Sequence, residues 1–142
     1  MKELSLVVTV SDYLDSRSFH TVTELPFLQR RIDIVGYEPI KGALIAVEAK
    51  VKNWQSAFRQ AVTCLLFADE VYIAMPTEYI HRVDKSELAR FGIGLLEVNS
   101  SVHVVSKAIS SRYISENHRK IVINRVQWLE MLQLKGQYNA SQ

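Results

Sequence analysis

RIDIVGY, residues 31–37, and AVEAK, residues 46–50, set the problem that decides how this chain folds. Each reads as a short apolar strand, and each carries charge where a buried strand should have none. Asp33 stands among Ile32, Ile34 and Val35; Glu48 and Lys50 stand in the run ALIAVEAKV, 43–51. A charge held in apolar surroundings costs several kcal/mol unless it is paired or bound to a metal. PIKG, 39–42, makes a turn between the two runs, and strands joined so closely pair as an antiparallel hairpin. Side chains alternate across a strand, so Ala46, Glu48 and Lys50 share one face while Val47, Ala49 and Val51 take the other. With the hairpin paired, Asp33 comes beside Glu48 and Lys50, and two carboxylates and an ammonium converge.

Outward from the hairpin, the pattern predicts a helix over 2–15, with Leu4, Val7, Val8 and Leu14 near one face. SFHTVTELPF, 18–27, reads as a strand stopped by Pro26, and 28–38 as the strand that carries Asp33. Past Lys52 the period changes: Asn53 is a helix cap, and Trp54, Phe58, Ala61 and Leu65 recur at helical spacing toward Ala68. EVYIAMP, 70–76, is an apolar strand, and strand–helix–strand favours a parallel, right-handed crossover. Residues 77–92 read as one helix ended by Gly92, followed by two short strands around Asn99-Ser100-Ser101. After a polar stretch, a helix is expected over 121–134, with Val122, Val126, Leu129 and Leu132 toward one side and a frayed tail at 136–142. The expected class is α/β with a mixed sheet. Residues 1–106 form the core, and 107–142 add a linker, the last helix and a flexible tail to the same single domain.

The chain has 142 residues, 48% hydrophobic and 23% charged. That suits one domain burying about two-thirds of its unfolded surface, and it argues against a disordered chain. The formal charge of +2 and pI near 8.7 mildly favour a polyanionic partner. One cysteine, Cys64, allows no internal disulfide and reads as a buried structural thiol. No run approaches the roughly 20 apolar residues of a membrane span, and the N-terminal run lacks the cleavage site of a signal peptide. A cytoplasmic protein without a membrane partner is expected.

Two carboxylates and a backbone carbonyl, that of Ala49, suit a hard, oxygen-seeking cation such as Mg²⁺, with Mn²⁺ as substitute. Such an ion polarises a phosphodiester and lowers the pKa of a bound water. A neighbouring lysine orients or deprotonates the attacking water. Asp33 followed by Glu48-Ala49-Lys50, on a hairpin that precedes a Trp-led helix, resembles the PD-(D/E)XK nuclease superfamily, the restriction-endonuclease-like fold. The resemblance covers roughly residues 1–106 and rests also on the α-β-β-β-α-β order, to which an extra αββ and a C-terminal helix are added. It implies that Asp33 and Glu48 are metal ligands and Lys50 the catalytic lysine. Glu24 is similar to an additional acid, and Gln60 to a helix glutamine, that members of the superfamily carry. Ile32 stands where many members have proline. The implied activity is Mg²⁺-dependent hydrolysis of DNA, endo- or exonucleolytic with RNA open, leaving a 5′-phosphate and a 3′-hydroxyl.

Arg30 and Arg31 at the mouth of the hairpin, with Lys52 and Arg59 on the other side, are candidate phosphate contacts. Trp54, opening an amphipathic helix, reads as core more readily than as a base-stacking platform. His20, His81, His103 and His118 are not spaced as a zinc pair, and GIG at 92–94 lacks the spacing of a phosphate loop. The apolar side of the last helix, with Trp128 and Met131, either caps its own core or packs on a second copy. A homodimer would bring two sites to a duplex. Two readings compete with an active nuclease: a catalytically silent nucleic-acid-binding or assembly module of the same fold, and a purely structural subunit.

Overall fold

The computed structural model describes the backbone of residues 1–140 and side chains through Gln133. Its centre is the pair β3 (Ala43–Ala49) and β4 (Glu70–Pro76), which run parallel and are buried on both faces along nearly their whole length. This is how a doubly covered central strand reads in sequence, as a continuous apolar run. Outward from β3 come β2 (Arg30–Glu38) and β1 (His20–Phe27), each antiparallel to its neighbour. Outward from β4 come β5 (Gly94–Val98), parallel, and β6 (Val102–Ser106), antiparallel. The sheet is therefore six-stranded and mixed, in simple sequence order from β1 to β6.

α1 (Glu3–Asp15) covers one face. Leu6, Val10 and Leu14 repeat every four residues and are buried against Ile34, Ile45, Val47, Tyr72 and Leu96. The opposite face takes α2 (Trp54–Cys64), α3 (Lys85–Arg90) and α4 (Glu116–Ala140). α2 begins where Asn53 accepts the Ser56 N–H at 3.0 Å, the expected cap. Its inward side chains are Ala57, Ala61 and Cys64, small enough to let the helix lie close on β3 and β4. Trp54 packs with Phe58 and the core, as its place in the pattern indicated. The α/β class, the αβββαβ order and the added αββ and helix are those expected.

Three local expectations differ. Residues 77–92 are not one helix: a 3₁₀ turn, Thr77–Arg82, gives way at Asp84, which caps α3 by accepting from Ser86 and Glu87. Asp84 and Glu87 stand at capping-box spacing, a signal that the helical period of the flanking residues hid. α4 starts earlier than 121 and continues as helix to Ala140, so the tail expected from 136 is helical over most of its length; 141–142 lie outside the described residues. Val122 and Val126 are buried as expected, but Leu132 is exposed. Glu130 already reaches His20, the first residue of β1, at 2.7 Å, so Leu132 lies past the end of the strand it would cover.

α4 is fixed at its start by Arg119. Its guanidinium forks onto Asp69 (3.1 and 3.0 Å) and also donates to the carbonyls of Phe67 and Gly42. Asp69 in turn accepts the Leu44 N–H at 2.8 Å. One ion pair thus joins α4 to the entry of β3 and β4. Among the described residues, no helix is long and apolar enough to cross a membrane. Arg119→Met should lower stability by about 2 kcal/mol, the scale of a lost charge-assisted hydrogen-bond set; an unchanged urea midpoint would show the clamp to be idle.

Candidate active site

The site lies at the carboxyl ends of β3 and β4, where ligands of open α/β sheets commonly bind. The ladder between β2 and β3 has its last pair at Ile34 and Val47; one step further, Asp33 and Glu48 face each other. There the backbone pairing stops, and the Asp33 carboxylate accepts the Ala49 N–H instead, at 2.9 Å. The strand changes face at this point: Ile32 and Val35 both enter the core under α2, while Ile34 enters the core under α1. β1 does the same at the same level, with Glu24 in the left-handed region at φ 56° between Val22 and Leu25. This local twist of the two outer strands turns Asp33 toward β3.

Glu48 shares its face with Leu44 and Ala46, beneath α2, and has no exposed surface at all. This burial excludes a solvated surface salt bridge from Glu48 to Lys50 or Lys52. Its Oε1 accepts from Arg30 Nη2 at 2.6 Å and lies 4.0 Å from Cys64 Sγ. With Glu48 ionised, its Oε2 is buried with no hydrogen-bond partner among the described residues, as is Nε of Arg30. Burial, then the Asp33 carboxyl beside it, through its charge and through a hydrogen bond to the protonated form, push the Glu48 carboxyl up to about 9; Arg30 and Lys50 oppose the rise. Burial first and Glu48 second push the Cys64 thiol well above its ordinary range, which suits a structural thiol rather than a nucleophile.

The other expected residues divide. Lys50 follows the end of β3, and its ammonium lies 3.3 Å from Glu3, in the first turn of α1, rather than on either carboxylate. The convergence of two carboxylates and an ammonium is thus corrected to two carboxylates and the Arg30 guanidinium, with Lys50 drawn aside. Gln60 stands one turn before Cys64 on α2, half-buried, and its backbone carbonyl serves Cys64 and Thr63. Glu24 is exposed and, among the described residues, makes no hydrogen bond or ion pair with Asp33 or Glu48. Arg31 and Arg59 are exposed, and Lys52 lies over the Tyr79 ring at 5.4 Å.

Sequence reading missed two partners. Glu3 carried no spacing signal, since only the tertiary fold sets α1 beside the end of β3. Arg125, on α4, donates to the Pro26 carbonyl at 2.6 Å and borders the β1–β2 turn beside Arg30 and Arg31. Among the described residues, no three His, Cys, Asp or Glu side chains form a metal-holding group. Two carboxylates suffice for Mg²⁺, which keeps several waters and draws further oxygens from a phosphate. The unpartnered Glu48 Oε2 beside Asp33 fits such an ion.

A mixed α/β sheet with paired acids at the ends of its central strands is the class that fold and site together define. No family model matches the chain, and no curated protein does. Among solved structures it is similar to a protein of unknown function from Silicibacter pomeroyi, with a TM-score of 0.78 at 20% identity, over 99% of this chain and 94% of that one. At that identity the likeness shows a shared fold.

Because the Glu48 carboxyl is raised in the folded state, its contribution to stability is full below its unfolded value near 4.5 and is lost as pH rises toward 9. Urea unfolding of the metal-free protein should therefore show stability falling across that window, and Glu48→Gln should flatten the fall. An identical pH profile in the variant would show that Glu48 is not the group responsible.

Proposed function

We propose that this protein is a metal-dependent nuclease acting on DNA, with the restriction-endonuclease-like fold that its αβββαβ order suggests. The observation that carries the reading is Glu48: a carboxylate with no solvent access and one partnerless oxygen, opposite Asp33 at the ends of the central strands. A buried carboxylate of this kind is costly to keep unless a cation compensates it in the working state.

Asp33 and Glu48 would hold Mg²⁺ or Mn²⁺, completed by the Ala49 carbonyl, water and substrate oxygen. When bound, the ion would activate water and neutralise charge on the phosphodiester. Lys50 sits one residue beyond the ligand strand and is partly exposed, free to exchange Glu3 for the attacking water or a phosphate oxygen. Arg31 and Arg125 face the open side of the hairpin and would hold the backbone phosphates of the substrate. α2, close on β3, keeps water from the inner side of Glu48. The outer face of α4 leaves Ile121, Trp128, Met131 and Leu132 exposed, which suits the homodimer that would set two sites on one duplex.

The Lys50–Glu3 pair specifically favours a second reading, a silent nucleic-acid-binding module, because it holds the lysine away from the acids.

Purified protein with Mg²⁺ or Mn²⁺ is expected to cut at least one of duplex, nicked, flapped, four-way or single-stranded DNA. Asp33→Ala and Glu48→Ala should abolish cutting, and Lys50→Ala should slow it by about 10²–10⁴-fold, the range of a lost acid–base group. Light scattering on the same sample should give a dimer. Intact DNA throughout the panel, with binding retained, would instead establish the silent module.

A further inference from the structure

We propose that Arg30 is a movable stand-in for the metal: it occupies Glu48 in the metal-free protein and turns outward to take a substrate phosphate when a divalent ion binds. This rests on the metal-site reading of Asp33 and Glu48 and adds a coupling between ion and substrate that the reading alone does not contain.

The first ground is occupancy. Arg30 Nη2 lies 2.6 Å from Glu48 Oε1 and is the cation on this buried acid, Lys50 being held by Glu3. A guanidinium on Oε1 and a divalent ion on Oε2 would share the single negative charge of one carboxylate and repel each other across it, so each weakens the other's hold.

The second ground is the quality of the pair. The strongest arginine–carboxylate bridges frequently close as a fork with both oxygens engaged. The same molecule contains one, Arg119 on Asp69, with two contacts to the carboxylate and two more to backbone carbonyls. Arg30 and Glu48 make a single contact, and Arg30 Nε and Glu48 Oε2 are both buried and unpartnered. Each half of the pair is left with an unmet demand, Glu48 for a cation and Arg30 for an anion.

The third ground is a destination. Arg30 keeps 23% of its side chain exposed. It opens on a cavity of about 350 Å³ around the β1–β2 turn, shared with Pro26, Gln29, Arg31 and Arg125. Three guanidinium groups border this space and, among the described residues, no carboxylate does, so it suits an anion with several acceptor oxygens, such as a backbone phosphate. The turn itself, Leu28-Gln29, has both residues at positive φ (49° and 64°), so Arg30 leaves a tight two-residue hairpin that sets its stem at the border of site and cavity. Ion binding frees Arg30 for phosphate, and phosphate held by Arg30 vacates Glu48 for the ion; the two affinities must rise together.

The test is calorimetric titration of Mn²⁺ into the wild type, Arg30→Met, Arg30→Gln and Arg30→Lys, with thermal melts confirming the fold of each. Removing the competing guanidinium should tighten Mn²⁺ binding about tenfold or more in the Met and Gln variants, the scale of one lost charge-assisted hydrogen bond, while Arg30→Lys stays near the wild type. A short DNA duplex supplies the second readout. In Ca²⁺, Arg30→Met should lower the salt slope of binding by about 1, one phosphate contact; without a divalent ion it should change the slope little. Equal or weaker Mn²⁺ binding in the Met and Gln variants, with the wild type binding, would overturn the switch and leave the metal site standing. An equal change of slope with and without the ion would likewise reduce Arg30 to an ordinary phosphate contact. Absence of Mn²⁺ binding in the wild type and in every variant would overturn the metal site itself, and the switch with it.

Discussion

A carboxylate without access to water lies under α2, opposite a second carboxylate, and the geometry around it is arranged on its behalf. Desolvating an isolated carboxylate costs several kcal/mol even after the surroundings relax. Glu48 meets that cost in the metal-free molecule by two routes at once: a raised affinity for its proton and a single contact with Arg30. Neither route gives the ionised Oε2 a partner among the described residues. The incompleteness separates this pair from the closed Arg119–Asp69 clamp at the opposite end of the same central strands, and it marks a site suited to exchange one cation for another.

The supporting elements follow from that constraint. Small residues on α2 let the helix close over β3, sealing Glu48 from one side. The β2–β3 ladder ends one step before the acids, and Asp33 replaces a backbone acceptor to the Ala49 N–H, so its carboxylate is held by β3 itself. The matching irregularity at Glu24 lets the outer hairpin twist as a unit without losing register on either side. α1 carries Glu3 to the same end of the sheet and parks Lys50 there. Glu48 and Lys50 at the end of β3, and Arg30 and Arg31 beside the β1–β2 turn, therefore sit on a framework whose central strands are buried on both faces.

Much of this was legible in the chain. Apolar runs of strand length and the Asn53 cap define the order of elements, because each is decided by residues within a few positions. Asp33 and Glu48 were readable as neighbours because a short hairpin fixes which residues face each other. Lys50 was not, since alternation holds only while the strand lasts, and β3 ends at Ala49. The Arg30–Glu48 pair was hidden for a related reason: β2 changes face near Asp33, so a phosphate-facing arginine and an acid-facing one have the same sequence signature. Glu3 and Arg125 reach the site from helices at opposite ends of the chain, and no local pattern carries such a contact.

The most direct measurement is a crystal structure of the protein grown with Mn²⁺, read through the anomalous difference map at the manganese edge. The expected result is a peak shared by the carboxylates of Asp33 and Glu48, with Arg30 turned out toward Arg31 and Arg125. A map without a peak there, and with Arg30 still on Glu48 Oε1, would contradict the claim that this buried acid is kept for a metal.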